Sequence, residues 1–388
     1  MLPQTGLGVY KRQPVFPWGR AASRGTTKMI EAMRESVIPH AAAYLAVGGL
    51  VIGFLFGAVV FATNFCAMGA LSDIHNFGDR RRLLAWLLAA ATALVGAQLL
   101  QATGVVALER SMYLATPSLN WAGHILGGLA FGFGMVFTGG CPSRNLARAG
   151  SGDLRSLLVL VVLGLFAYMT LGGILAPSRA ALEQATSIAT MPRSLGDAAA
   201  RVSGIAPAAG SLVVMAAIAL AVLAYCVRDA RFRTSPVHVL SGLAVGLIVV
   251  GGWALTGLAY DDMATRPSPP ISLTYVRPAG DALQWLTLYT ATPMPGFGAA
   301  SVFGALLGAF TASMAMGRFH VTTFSDTGDT LRNLLGAAMM GVGGVMALGC
   351  TVGQSITGVS TLAVGSFLTF AAIVAGGVYG LRVLERII

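Results

Sequence analysis

The sequence predicts an all-α polytopic membrane protein. About nine transmembrane helices are expected in two pseudo-symmetric, inverted repeats, with short broken or re-entrant helices meeting at a central constriction. Three observations predict this. The 388 residues are 55% apolar and only 10% charged, with a mean hydropathy of +0.75, whereas soluble domains carry about a quarter charged residues. Apolar stretches long enough to cross about 30 Å of hydrocarbon recur along the chain. Fifty glycines, far above the ordinary share of about 7%, point to close helix packing and interrupted helices.

Residues 1–37 read as a basic extension, with Lys11, Arg12, Arg20, Arg24, Lys28 and Arg34 and no apolar run that would make a secretory signal. Within it, residues 27–37 are expected to form a helix lying at the membrane interface. The first transmembrane repeat is placed at 38–176, with spans near 41–63, 83–108 and 154–176. A linker over 177–237 holds Pro177, Pro192 and Pro207 and one span near 211–227. The second repeat is placed at 238–388, with spans near 238–258, 297–316 and 361–384. Two further apolar stretches, 119–139 and 331–349, are rich in glycine and run into a Gly-Cys pair.

The net charge of +10 comes from 23 arginines and two lysines, mostly outside the spans. It reads as the positive-inside signal of a membrane protein and not as nucleic-acid binding. Asp79-Arg80-Arg81-Arg82 and Arg228-Asp229-Ala230-Arg231-Phe232-Arg233 both read as cytoplasmic, and so does the basic N-terminus. Simple full spans do not reconcile all three; broken helices relax the conflict, and the side of the N-terminus stays open.

The two halves repeat. Aligning Cys141 with Cys350 pairs Gly127 with Gly336, Gly132 with Gly341, Gly134 with Gly343, Val136 with Val345 and Gly140 with Gly349. Upstream, a different offset pairs Gly53 with Gly246 and Thr63 with Thr256, and sets Ala259 opposite Cys66. Secondary transporters are built from such repeats, with sites near the midplane where discontinuous helices meet.

Chemistry concentrates at the breaks. In Gly139-Gly140-Cys141-Pro142-Ser143-Arg144, the glycines end one helix and proline suits the first turn of the next. Cys141 then stands at a helix start, beside unsatisfied N–H groups that favour an anion. Arg144 and Arg148 share a face of the following helix. Gly349-Cys350-Thr351 repeats the break without proline, and Thr351 and Gln354 stand where the first half offers Ser143, Arg144 and Asn145. Cys66 follows Asn64-Phe65 and, from local sequence, reads equally as an ordinary helix end. Cys226, at the end of a plain apolar helix, reads as packing. No carboxylate falls near the centre of a confident span, so a carboxylate proton relay is disfavoured. The chain holds no Gly-x4-Gly-Lys-Ser/Thr phosphate loop and no Cys-x2-Cys or His/Cys cluster, so no cofactor or metal is expected.

At these residues the chain resembles the YeeE/YedE family, the membrane proteins of the sulfur transport domain. The likeness is carried by Gly53-Phe54-Leu55-Phe56-Gly57 through Phe65-Cys66, by Gly139-Gly140-Cys141-Pro142-Ser143-Arg144-Asn145-Leu146-Ala147-Arg148-Ala149-Gly150, and by Gly349-Cys350-Thr351-Val352-Gly353-Gln354 through Gly358. It covers nearly all of 45–385. The resemblance implies a body that narrows from both sides, with thiosulfate passing along cysteines through S–H···S and S–H···O contacts. Carried over, it makes Cys66, Cys141 and Cys350 the substrate-path thiols, supported by Asn64, Gly140, Ser143, Arg144, Asn145, Gly349, Thr351 and Gln354.

The expected function is therefore uptake of a small sulfur-containing anion, thiosulfate first, across a bacterial inner membrane. Expected partners are membrane lipid and a small soluble cytoplasmic sulfur-carrier protein. The alternatives are a selenium compound or another sulfur oxyanion as substrate, or an intramembrane thiol sulfurtransferase or oxidoreductase. Two departures stand out: Leu71-Ser72-Asp73 replaces the arginine-aspartate pair of many members, and the basic N-terminus lies outside the likeness.

Overall fold

The computed structural model describes residues 24–116, 118–189, 192–264, 267–324 and 326–387. Lys11, Arg12 and Arg20 of the basic extension lie outside the described residues. The chain runs through an amphipathic helix α1 (Arg24–Val37), then α2 (Ala41–Thr63), a short α3 (Ala67–Phe77), α4 (Arg81–Thr103), α5 (Trp121–Phe137), a short α6 (Pro142–Gly150) and α7 (Leu154–Leu171). The peripheral helices α8 (Ala176–Thr186), α9 (Leu195–Ser203), α10 (Pro207–Arg228) and α11 (Ala230–Arg233) follow. The second half comprises α12 (Pro236–Leu258), a short α13 (Arg277–Thr287), α14 (Phe297–Ala315), α15 (Thr327–Met346), a buried helical segment 351–361 and α16 (Val364–Ile387).

All nine apolar stretches expected from the sequence are helical. Eight of the helices are long and apolar enough to cross a membrane, and the chain is a multi-pass membrane protein. α15 has comparable length, but its first turns carry Asp329 and Arg332.

Close packing through glycine builds the body. α2 lies along α14, with Gly49 and Gly53 set against the backbone of Phe297 and Ser301. α4 and α12 repeat that contact, with Gly242 and Gly246 set against the carbonyls of Ala85 and Ala89. In both pairs the contacts advance together along the two helices, so each pair is parallel. The two pairs run in opposite senses: Gly48 of α2 meets Leu255 of α12, while Gly251 of α12 meets Ile52 of α2. On α5 and α15, Gly127 meets the Gly343 carbonyl and Gly134 meets the Gly336 carbonyl. Helices α5 and α15 are counterparts 209 residues apart and cross antiparallel. Only a two-fold axis perpendicular to them, lying in the membrane plane, relates such a pair, so the repeats are inverted.

The structure separates the basic segments. The Arg34 guanidinium of α1 donates to the carbonyls of Val105 at 3.0 Å and Gly257 at 3.3 Å, beside the C-terminal ends of α4 and α12. Arg81 opens the 23-residue α4, whose far end is about 33 Å along the helix. The N-terminal helix and the Arg80–Arg82 cluster therefore occupy opposite faces, which removes the conflict posed by three basic segments on one side. Glu385 near the C-terminus pairs with His75 at 3.0 Å, on the Arg80–Arg82 face.

These contacts predict a contrast between two glycines. A methyl at Gly53 runs into the Ser301 carbonyl, whereas one at Gly251 reaches Ile52 Cδ1 only at 3.8 Å. Gly53→Ala is expected to destabilise the protein by about 1–3 kcal/mol through overpacking. Gly251→Ala is expected to be neutral or stabilising by up to about 1 kcal/mol, because alanine favours the helix. Thermal unfolding in detergent checks both, and equal midpoints would contradict the packing account.

Candidate functional site

The site is built where four helices start near the centre of the body. α5 ends with Gly139 in the left-handed region at φ 67°. The Gly139 N–H donates to Val136 O at 3.1 Å and the Gly140 N–H to Met135 O at 2.9 Å, the bond pattern of a Schellman stop. α15 ends in the same way, with Leu348 at φ 59°. Here the Leu348 N–H reaches Val345 O at 3.1 Å and the Gly349 N–H reaches Gly344 O at 2.7 Å. A leucine in that region costs about 1–2 kcal/mol, which the identical backbone turn imposes.

Each stop is followed at once by a new start. Cys141 is the N-cap of α6, with Pro142 in the first turn, and Cys350 precedes the helical segment 351–361. Cys66 is the N-cap of α3, and its Sγ accepts the Gly69 N–H at 3.4 Å. The Cys350 Sγ likewise accepts the Gly353 N–H, at 3.3 Å. Cys141 Sγ lies 3.0 Å from Ser143 Oγ. Cys66 and Cys350 each lie within electrostatic reach of Cys141. All three are buried free thiols.

The fourth start corrects the sequence alignment. α13 packs on α14 and α7 as α3 packs on α4 and α16, so its N-cap, Val276, occupies the place of Cys66. Ala259 does not, because residues 259–275 form an extra segment with no counterpart in the first half. Cys66 has no cysteine mate under either pairing.

Amides flank the breaks symmetrically. Asn145 Nδ2 donates to Gly140 O at 2.8 Å, and Gln354 Nε2, 209 residues later, donates to Ala347 O. These bonds leave Asn145 Oδ1 and Gln354 Oε1 buried without partners, and Thr351 Oγ1 is in the same condition. Gly140 and Gly349 shape the turns. Asn64 is half-buried and takes the left-handed φ of 54° that ends α2, a conformation asparagine tolerates; that backbone position accounts for it.

The approaches from the two faces differ. On the Arg80–Arg82 face, Arg82, Arg144 and Arg148 stand close together. Arg82 pairs with Asp73 at 3.2 Å and Arg148 with Asp153 at 2.6 Å. Asp153 also binds Arg155 at 3.2 Å; burial pushes its carboxyl up, but the two guanidiniums hold it below the usual range. Arg144 has no carboxylate partner among the described residues, and it faces Cys66 and Cys141. On the α1 face a cavity of about 340 Å³ reaches Thr274, Leu348 and Gly349. Thr274 Oγ1 lies 3.9 Å from Cys350 Sγ. The one cation lining this cavity, Arg277, is paired with Asp281 at 3.7 Å.

Sequence reasoning missed Thr274, and with it the buried Tyr275 and Tyr113. Tyr275 belongs to an irregular stretch with no motif, and Tyr113 to a loop between two helices. Among the described residues no group of three or more His, Cys, Asp or Glu could hold a metal ion.

A family profile described as Sulphur transport matches residues 62–379. Two characterised relatives align along most of their length, both named Thiosulfate transporter TsuA. The protein from Spirochaeta thermophila is 27% identical over 340 residues, covering 84% of this chain and 96% of its own. The one from Escherichia coli is 27% identical over 332 residues, covering 80% and 87%.

The arginine environments predict opposite effects on stability. A half-buried cation without a partner forfeits hydration, so Arg144→Met is expected to leave the melting temperature unchanged or raise it. Arg148→Met strips one of the guanidiniums from buried Asp153 and is expected to destabilise by about 3 kcal/mol. Thermal unfolding of the two variants side by side checks this, and a large loss for Arg144→Met would mean that its charge has a structural partner.

Proposed function

The chain belongs to the Sulphur transport family, and on that premise we propose that it imports thiosulfate across a bacterial inner membrane through the cysteine-lined constriction. The observation that carries this reading is the meeting of three buried thiols, each at a helix start, with an unpaired guanidinium beside two of them. Helix starts present N–H groups and the positive ends of their dipoles. Here α3 and α6 approach from one face and α13 and segment 351–361 from the other, so the constriction favours an anion without a full positive charge at its centre.

Sidedness follows from arginine. Arg80, Arg81 and Arg82 share one face with Arg228, Arg231 and Arg233, since Arg81 lies in electrostatic reach of Asp229. Positively charged loops stay in the cytoplasm, so the cavity beside Thr274 opens outward and the arginine-lined approach faces inward. The anion enters past Thr274, meets Cys350, then Cys141 and Cys66, and leaves along Arg144. Thiosulfate has a soft terminal sulfur and three oxygens, and thiols offer weak S–H donors to both. Weak contacts at successive positions suit passage, because a tight site would trap the ion. Cys66, Cys141 and Cys350 are the relay thiols, with Ser143, Asn145, Thr351 and Gln354 supplying hydrogen bonds around them. The exposed Arg228, Arg231 and Arg233 suit docking of a small acidic sulfur-carrier protein at the inner mouth.

Uptake of labelled thiosulfate into proteoliposomes tests the reading. Cys141→Ala and Cys350→Ala are expected to reduce uptake to background, and Cys226→Ala, whose thiol is packed in the core and donates to the Leu84 carbonyl at 3.7 Å, to leave it unchanged. Normal uptake by both path variants would overturn the relay. Stronger competition by a selenium oxyanion than by unlabelled thiosulfate would reassign the substrate, and a persulfide on Cys141 in intact mass would favour a thiol enzyme.

A further inference from the structure

Two tyrosine hydroxyls are buried in the interior without a hydrogen-bond partner, those of Tyr113 and Tyr275. Tyr275 is fully enclosed and Tyr113 is 9% exposed. Buried phenols ordinarily find a partner, because an unmet donor gives up its hydration for nothing. Neither ring needs its oxygen to be held. Tyr275 stacks on Phe56 with ring centroids 5.2 Å apart, and Tyr113 meets Trp253 edge-on at 6.4 Å. Phenylalanine would make the same contacts and remove the penalty.

Both phenols lie in electrostatic reach of one thiol, Cys350. Thr274, the preceding residue, sets its hydroxyl 3.9 Å from Cys350 Sγ and lines the outer cavity. Among the described residues, the cavity on this side is lined by no unpaired cation, since Arg277 is engaged by Asp281.

We propose that Tyr275 and Tyr113 donate hydrogen bonds to the oxygens of the anion while its terminal sulfur lies against Cys350. The assignment rests on the reading of thiosulfate as substrate and adds to it a basis for selection. A thiol matches the soft sulfur, and phenol O–H groups match the oxygens. Together they recognise an anion that carries both atom types. Hydrosulfide offers the sulfur without the oxygens and gains nothing from the phenols. Neutral donors also suit a stretch of path remote from any free positive charge, since they bind an anion without holding it as an ion pair would.

The test uses the full-length protein in proteoliposomes, comparing wild type with Tyr275→Phe, Tyr113→Phe and the double variant. Thiosulfate uptake is measured over a range of concentrations, with hydrosulfide as competitor, alongside thermal unfolding. Each single variant is expected to keep or raise the melting temperature and to raise the half-saturating thiosulfate concentration about tenfold, the loss of one hydrogen bond to a charged group. Hydrosulfide is expected to compete more strongly against the variants than against wild type. Wild-type saturation and competition in both single variants would overturn the assignment and leave the thiosulfate reading intact. A fall in melting temperature would also overturn it, by showing that the phenols serve the fold. No uptake by the wild-type protein would overturn the thiosulfate reading and this assignment with it.

Discussion

The antiparallel crossing of α5 on α15 is the contact on which the remaining geometry depends. Four glycines make it: a Cβ at Gly127, Gly134, Gly336 or Gly343 would stand 2.6–2.7 Å from a carbonyl oxygen of the facing helix. Lipid tails are as apolar as side chains, so helices in a bilayer associate through such close backbone packing. Because the crossing straddles the two-fold axis, it places the ends of both helices at once. The two Schellman stops follow, and with them the positions of Cys141 and Cys350. A shift at this crossing would move both thiols together.

The second constraint is electrostatic. A full charge buried at the centre would cost more than the protein can readily recover, yet the proposed substrate is a dianion. The helix starts meet this with fixed partial charges, which need no counter-ion. Cys66 and Cys350 each take up one of the free N–H groups through sulfur, so the thiols belong to the caps as well as to the proposed path. Arg144, which has no carboxylate partner among the described residues, is only half-buried, at the edge where water still screens it. The amide oxygens of Asn145 and Gln354 stay buried without partners beside the two breaks, while their nitrogens hold the turns.

Most of this was legible in the sequence because membranes impose simple rules. Spans show as apolar length, breaks as glycine, and the repeat as Gly-Cys at matching places. The Gly139-Gly140-Cys141-Pro142 run gave both the stop and the start of the helices it joins, since each step has a local cause. The counterpart of Cys66 was not legible: the extra segment 259–275 displaces the pairing, and single-offset alignment cannot see an insertion. Asn64 was read as polar for the path's sake, but its backbone angle explains it. Tyr113 and Tyr275 carried no signal, because a buried tyrosine looks like core until its oxygen is found without a partner. The face occupied by α1 required the Arg34 contacts to the ends of α4 and α12.

The departures from two-fold symmetry fall where direction matters. Under the 209-residue offset, Arg144 corresponds to Gly353, so the inner approach has a cation where the outer one has a bare backbone. By helix start, Val276 stands in the place of Cys66, so the extra thiol lies on the same side as Arg144. Such asymmetry cannot pump, since a passive path only relaxes a gradient. It sets how strongly each mouth holds the ion. Stronger holding at the inner mouth draws the anion past the neutral outer stretch, and by the same amount slows its departure. On the proposed path, net inward flow would therefore depend on the concentration of free anion kept at the inner mouth, and would be fastest where cytoplasmic chemistry consumed the sulfur as it emerged.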